Sequence, residues 1–239
     1  MSSKMQKELV EIIDQIKNRT LRKVVRELVL KPTLSLKTKE PRDAGLPLLT
    51  SPAAKTWHHS YPMGLLEHMI STSRVALALC DSAEKIYGGR VDRDLVLAGV
   101  LLHDVFKPMT YVENEDGTYG VSPLGERLDH LTLVLCELYK KKVPIELLHI
   151  LASHHGRAGP ISPRTIEALI VHVADVADAT LNGEVLSAAK FLAKKCTGEE
   201  VTFTSSKEAF EIVHAKQAEG CEGVIKVIEK IRKNRSRRV

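Results

Sequence analysis

The sequence predicts an all-α domain, on three observations. Apolar residues recur at helical spacing through most of the chain, as at Leu21, Val24, Val25 and Leu28. Only MTYVENEDGTYGVS, at 109–122, reads as strand; it brackets the turn dipeptide Asp116-Gly117 and predicts a small β-hairpin. The composition, 44% apolar and 27% charged over 239 residues, is that of a globular chain long enough to bury a sizeable core.

Residues 4–31 predict an N-terminal helix whose apolar face could pack on its own domain or on a neighbouring subunit. Residues 32–62 follow as a long loop with Pro32, Pro41, Pro47, Pro52 and Pro62, half of the ten prolines. A connection of that length inside a compact domain is often a binding loop or lid. This one ends in KTWHHSYP and so delivers His58 and His59 to whatever it packs against. The core, 63–182, carries candidate helices at 63–80, 92–106, 124–142 and 144–155. Its last helix, 162–182, would take Ser162 as its cap and Pro163 at its first position. C-terminal helices at 184–196 and 206–233, the second broken near Gly220 and Gly223, complete a single domain over 1–239. No internal repeat or low-complexity linker divides it.

The net charge of +5 is concentrated at the end, where KVIEKIRKNRSRRV holds seven Lys or Arg against one Glu. Such a tail could touch a polyanion, or it could be a final helix whose cationic end suits its own dipole. Cys80, Cys136, Cys196 and Cys221 are widely spaced with no CxxC pair, so no disulfide framework is expected. The start, MSSKMQKELV, is too polar for a signal peptide, and the longest apolar run, LVLAGVLL at 95–102, is too short to span a bilayer. A soluble cytoplasmic protein with no membrane partner is expected.

The chemistry begins at VLLHDVFKP, residues 100–108, where an apolar run presents His103, Asp104 and Lys107. Burying an imidazole beside a carboxylate is costly unless something compensates. Other chelating groups sit in similar places. His68 shares a face with Leu65 and Thr72; His154 follows Leu147, Ile150 and Leu151, with His155 beside it. His130 lies at the edge of an apolar run, and Asp175 sits in IVHVADVADA with no Lys or Arg nearby. On a continuous helix His103 and Asp104 would diverge by about 100°, yet both could reach one ion between their directions.

A lone histidine on an apolar face is usually a hydrogen-bonded core residue. Seven such groups on five helical segments, four of them in His-Asp or His-His doublets, are better explained by bound cations. Seven ligands exceed what one ion with an open position uses, which favours two ions with Asp104 as the bridge. The His/Asp mixture suits Fe, Mn, Co, Ni or Zn.

These residues resemble the HD superfamily of metal-dependent phosphohydrolases, from His68 through His103-Asp104 to Asp175, over roughly residues 50–182. The resemblance implies a helical bundle with two divalent ions, iron(II) or manganese(II) being favoured. It places His68, His103, Asp104 and Asp175 on one ion, and Asp104, His130, His154 and His155 on the other. It implies that Lys107, in HDVFK, contacts substrate phosphate. The segments PAAKTWHHSYPMGLLEH and SHHGRAGPISPRTIEALIVHVADVADA are similar to two groups. One is the HD domain of bacterial 3′→5′ exoribonucleases of the YhaM type. The other is the archaeal dihydroneopterin 2′,3′-cyclic phosphate phosphodiesterases. The exoribonucleases carry an N-terminal OB-fold, whereas here the first thirty residues read as helix.

The expected activity is therefore hydrolysis of a small-molecule phosphodiester by metal-activated hydroxide attack on phosphorus, a 2′,3′-cyclic phosphate being favoured. Asp104 and Lys107 are the catalytic candidates; Lys107, Arg157, His58 and His59 are the substrate-binding ones, the two histidines as a general acid or as pocket lining. Trp57 is expected to anchor the loop, and His172 to support a ligand from one turn before Asp175. The alternative is a 3′→5′ exonuclease on single-stranded RNA or DNA. Stacking platforms for such a strand would have to come from four Phe, five Tyr and one Trp. A metal-loaded but idle binding module is a third reading, disfavoured by the full ligand set and the lysine. Nucleic acid and a second copy of the chain remain candidate partners.

Overall fold

The computed structural model describes residues 2–35, 45–48 and 50–236. Part of the expected 32–62 loop, and the last three residues of the basic tail, lie outside them. The N-terminal segment forms two helices, α1 (Ser2–Asp14) and α2 (Arg19–Leu30), where one was expected. The break is built by side chains: Asn18 Oδ1 accepts from Leu21 N–H at 3.1 Å, and Asp94 accepts the Lys17 and Asn18 amides at 2.9 and 2.7 Å. Leu21, Val25 and Leu28 are buried in the protein's own core, which answers where that apolar face packs.

Helix α3 (Gly64–Lys85) carries His68, and α4 (Arg93–Leu102) starts at Asp92, whose carboxylate accepts the Asp94 and Leu95 amides. Every residue from Val96 to Leu102 is buried, so α4 is apolar all round and forms the centre of the bundle. It stops at Leu102 rather than continuing to 106. Pro108 lacks an N–H, and its ring would collide with the carbonyl of Asp104 in a continued helix. A short helix α5 (Lys107–Thr110) then leads to the predicted hairpin, β1 (Tyr111–Glu113) and β2 (Tyr119–Val121), antiparallel with Tyr111 opposite Val121.

Helix α6 (His130–Lys140) begins six residues later than expected because Asp129 caps it, accepting from Thr132 N–H at 2.7 Å. Helix α7 (Ile145–Ser153) ends at the His154-His155 pair. The expected helices at 162–182 and 184–196 are one continuous element, α8 (Ile166–Thr197), capped by Thr165 rather than Ser162. Gly183 does not interrupt it; a Cβ there would lie 2.5 Å from the Trp57 ring, so the glycine admits the tryptophan that anchors the loop. Helix α9 (Ser206–Ser236) is kinked at Gly220 (φ 68°), as the sequence suggests near that point.

The main core joins α1–α4, α6, α7 and the first part of α8. A second cluster, with Leu186, Phe203, Ile212, Val224 and Ile228, joins the rest of α8 to α9. There the expectation of no disulfide is overturned: Cys196 and Cys221 are bonded, 25 residues apart on facing helices. Four of the five cations in the described part of the basic tail are paired within the chain: Lys226 to Glu219, Lys230 to Glu211, Arg232 to Glu199 and Arg235 to Glu208. Among the described residues no helix is long and apolar enough to cross a membrane.

Candidate metal centre

The elements bring their chelating groups to one point. His68 comes from the first turns of α3, His103 and Asp104 from the turn closing α4, and His130 from the first residue of α6. His154 and His155 come from the end of α7, and Asp175 from the middle of α8. His103 is the C-cap of α4 and Asp104 follows it, so neither is the mid-helix position that the sequence suggested. His68, His103, Asp104 and His154 are essentially buried.

Distances separate two groups that share Asp104. In the first, His68 Nε2 lies 3.2 Å from His103 Nε2, 3.2 Å from Asp175 Oδ1 and 3.6 Å from Asp104 Oδ2. His103 Nε2 lies 3.3 Å from Asp104 Oδ2 and 3.6 Å from Asp175 Oδ1. Donors about 2.1 Å from one ion stand roughly 3.0 Å apart when cis-octahedral and 3.4 Å apart when tetrahedral, so these spacings suit a shared divalent ion. In the second group, Asp104 Oδ1 lies 3.4 Å from His130 Nε2. His130, His154 and His155 offer nitrogens within 4.8 Å of one another.

The rings are held so that Nε2 faces inward. His103 Nδ1 lies 2.9 Å from Val100 O and His154 Nδ1 2.6 Å from Leu151 O, contacts that require N–H at Nδ1 and leave a lone pair on Nε2. His68 Nδ1 lies 2.6 Å from Asp178 Oδ2, with the same result. Asp104 Oδ1 and the Nε2 atoms of His130 and His154 have no hydrogen-bond partner among the described residues, although all three are buried. Such orphaned groups need a ligand.

Electrostatics agree. Burial opposes charge on Asp104 and Asp175, yet His103 and, for Asp104, Lys107 hold both carboxyls well below the usual range. Burial likewise opposes charge on His68 and His103, but the carboxylates around them push both upward, His103 to about 10. A proton serves only one side of the 3.2 Å gap between those rings; a cation serves both nitrogens and both carboxylates at once. Burial lowers His130 to about 4 and His154 to about 3, so both are neutral and able to ligate near pH 7. The residues present therefore fit a pair of divalent ions.

Lys107 Nζ stands 2.6 Å from Asp104 Oδ2. His58 and His59 are buried against His68, at ring separations of 5.1 and 5.2 Å. Arg157 is exposed on the turn Gly156–Ala158, just after the histidine pair. His172 Nδ1 lies 2.7 Å from His154 O, so it braces the ligand turn. His149 is structural, accepting the Arg164 amide at 2.9 Å. Sequence reasoning missed Asp178. It lies one turn beyond Asp175 on the same face of α8, and the second aspartate of ADVADA was its signal.

A helical bundle around a histidine–aspartate centre of this kind defines a class of hydrolase, and comparison with known proteins agrees. The HD domain family model matches residues 65–180. The chain belongs to the HD family and is a metal-dependent phosphohydrolase. It is 46% identical over 176 residues to the dihydroneopterin 2′,3′-cyclic phosphate phosphodiesterase of Methanocaldococcus jannaschii, covering 73% of this chain and 69% of that one. It is 30% identical over 190 residues to the 3′-5′ exoribonuclease YhaM of Bacillus velezensis, and 29% identical over 191 residues to that of Bacillus subtilis. The chain spans only about half the length of these exoribonucleases, 54% and 55%. No solved structure matches it.

Proposed function

We propose that the chain, as one domain over 1–239, hydrolyses a small-molecule phosphodiester, with a 2′,3′-cyclic phosphate such as that of dihydroneopterin as the substrate class. The observation that carries this reading is the pair of ligand groups sharing Asp104, one oxygen toward each. His68, His103, Asp104 and Asp175 would hold one ion, and Asp104, His130, His154 and His155 the other, with iron(II) or manganese(II) suited to the mixed donors. Bound there, a divalent pair supplies a nucleophilic water at neutral pH and neutralises charge on phosphoryl oxygens.

The chain's own groups do the rest. Lys107 is partly buried, which disfavours its charge, but Asp104 outweighs that and keeps the ammonium protonated as a point charge for a phosphoryl oxygen. Burial, and then the neighbouring His68, lower His58 to about 4 and His59 to about 3. Both are neutral near pH 7, which supports a role as hydrogen-bonding pocket walls rather than as general acids. Arg157 contributes a second cation from the rim.

The relative at 46% identity supports the cyclic phosphate; the exoribonuclease relatives support the alternative. Against a polynucleotide stands the described part of the tail, where Lys226, Lys230, Arg232 and Arg235 answer the chain's own carboxylates instead of forming a free basic track. The test offers Mn(II)-loaded protein a mixture of 2′,3′-cyclic phosphates and a labelled single-stranded RNA. Ring opening with intact RNA, lost in Asp104→Ala, is expected; stepwise shortening of the RNA from its 3′ end would replace this reading with the exonuclease.

A further inference from the structure

We propose that Asn182 is the positioning residue of the His58–His59 pair, acting through the backbone of His59 and not through contact with substrate or metal. This rests on the reading of the two histidines as pocket walls for the substrate.

His59 adopts a left-handed backbone, φ 46°, which non-glycine residues seldom take unless their surroundings impose it. Here they do. The His59 amide donates to Asn182 Oδ1 at 2.6 Å, and its carbonyl accepts from the Ala53 amide at 3.1 Å. A Cβ at residue 64 would lie 2.0 Å from that carbonyl oxygen, so glycine is required where α3 begins beneath the loop.

Asn182 is itself buried and held from its other side. Its Nδ2 donates to the Tyr61 hydroxyl at 3.0 Å, and that hydroxyl donates to Glu67 Oε2 at 2.9 Å. Glu67 Oε1 in turn accepts from Ser206, at the start of α9. This chain decides which way the carboxamide faces. Because Tyr61 gives its proton to Glu67, it must accept from Asn182, which leaves Asn182 Oδ1 for the His59 amide. The flipped amide would set its NH2 against the His59 N–H and its oxygen against the phenolic oxygen, and both bonds would be lost.

The rings follow from the backbone. His59 Nδ1 lies 3.3 Å from His58 Nδ1, and His59 Nε2 lies 3.7 Å from Asp178 Oδ2. The carboxylate favours the proton on His59 Nε2. His59 Nδ1 then accepts from His58 Nδ1–H, and His58 Nε2 is left as a neutral acceptor, suited to a substrate hydroxyl. Asp175, Asp178 and Asn182 fall at i, i+3 and i+7 on α8. One helix face thus carries a metal ligand, the carboxylate behind His68 and the amide that sets the histidine loop.

The test is a double-mutant cycle of Asn182→Leu with His58→Ala. Metal content, kcat/KM on a 2′,3′-cyclic mononucleotide and exchange of the His59 amide are measured in each. Asn182→Leu is expected to keep wild-type metal content, to expose the His59 amide to exchange and to lower kcat/KM by about 10²-fold. The double variant should be no worse than His58→Ala alone, because both changes remove the same placed ring. Wild-type kcat/KM in Asn182→Leu, or losses that multiply in the double variant, would overturn the proposal and leave the substrate reading intact. Wild-type kcat/KM in His58→Ala would sink both. If Asn182→Leu does not fold, Tyr61→Phe, which frees the carboxamide to turn, must show the same loss to a smaller degree; wild-type kinetics there overturn the proposal.

Discussion

Replacing Asp178 by asparagine should weaken one metal site and spare the other. Asp178 Oδ2 stands 2.6 Å from His68 Nδ1, and Thr72 Oγ1 stands 3.2 Å from the same nitrogen. The carboxylate fixes the proton on Nδ1 and raises the basicity of Nε2, the atom facing Asp175 and His103. Loss of such a carboxylate behind a ligating histidine typically costs 10–100-fold in metal affinity, about 1.4–2.7 kcal/mol. Asparagine keeps an acceptor oxygen and loses only the charge, so it belongs near tenfold; alanine belongs near a hundredfold. Competition between metal-free protein and a chelator for Mn(II) measures both sites, and the group of His130, His154 and His155 serves as the internal reference. Equal weakening at both sites, or wild-type binding at both, would show that Asp178 does not act through His68.

Lys107→Met should keep both ions and lose about 10²–10³-fold in kcat/KM, because only a charge aimed at the phosphoryl group is removed; metal analysis beside steady-state kinetics checks it. Metal-free protein should lose stability as pH falls from about 6.5 toward 4. His58, His59, His130 and His154 all titrate lower when folded, so the unfolded chain binds more protons in that window. His58 alone accounts for up to about 3 kcal/mol by pH 4, so His58→Gln should flatten the fall of Tm with acid; an unchanged slope contradicts this. Reducing Cys196–Cys221 reopens a 25-residue loop and should cost about 3.5 kcal/mol in urea unfolding on the chain-entropy relation. Cys196→Ser should abolish the difference between oxidised and reduced samples.

The ligand set was legible because each member breaks a local rule. His68, His103, Asp104, His154 and Asp175 are polar groups in or at the ends of apolar helical stretches, where polar groups are seldom placed without a function. Asp178 breaks the same rule, and its signal was its place one turn beyond Asp175 on the same face of α8. Asn182, Tyr61 and Glu67 carry no such signal, because their partners lie 121 to 139 residues away or six residues on, across the start of α3. The boundaries that moved did so for tertiary reasons. Asp94 splits the first helix by taking amides from residues 76 and 77 positions away. Gly183 stays helical because Trp57 fills the space beside it. The disulfide depends on α9 folding back along α8, which no cysteine spacing shows.

Whether two ions share Asp104 is read most directly from the magnetic resonance spectrum of protein loaded anaerobically with Mn(II), with metal counted per chain. Two ions per chain and the spectrum of an exchange-coupled pair are expected. That coupling should be absent in Asp104→Ala, and His130→Ala should hold one ion. One ion per wild-type chain, or two with the spectrum of isolated Mn(II), would contradict a shared Asp104.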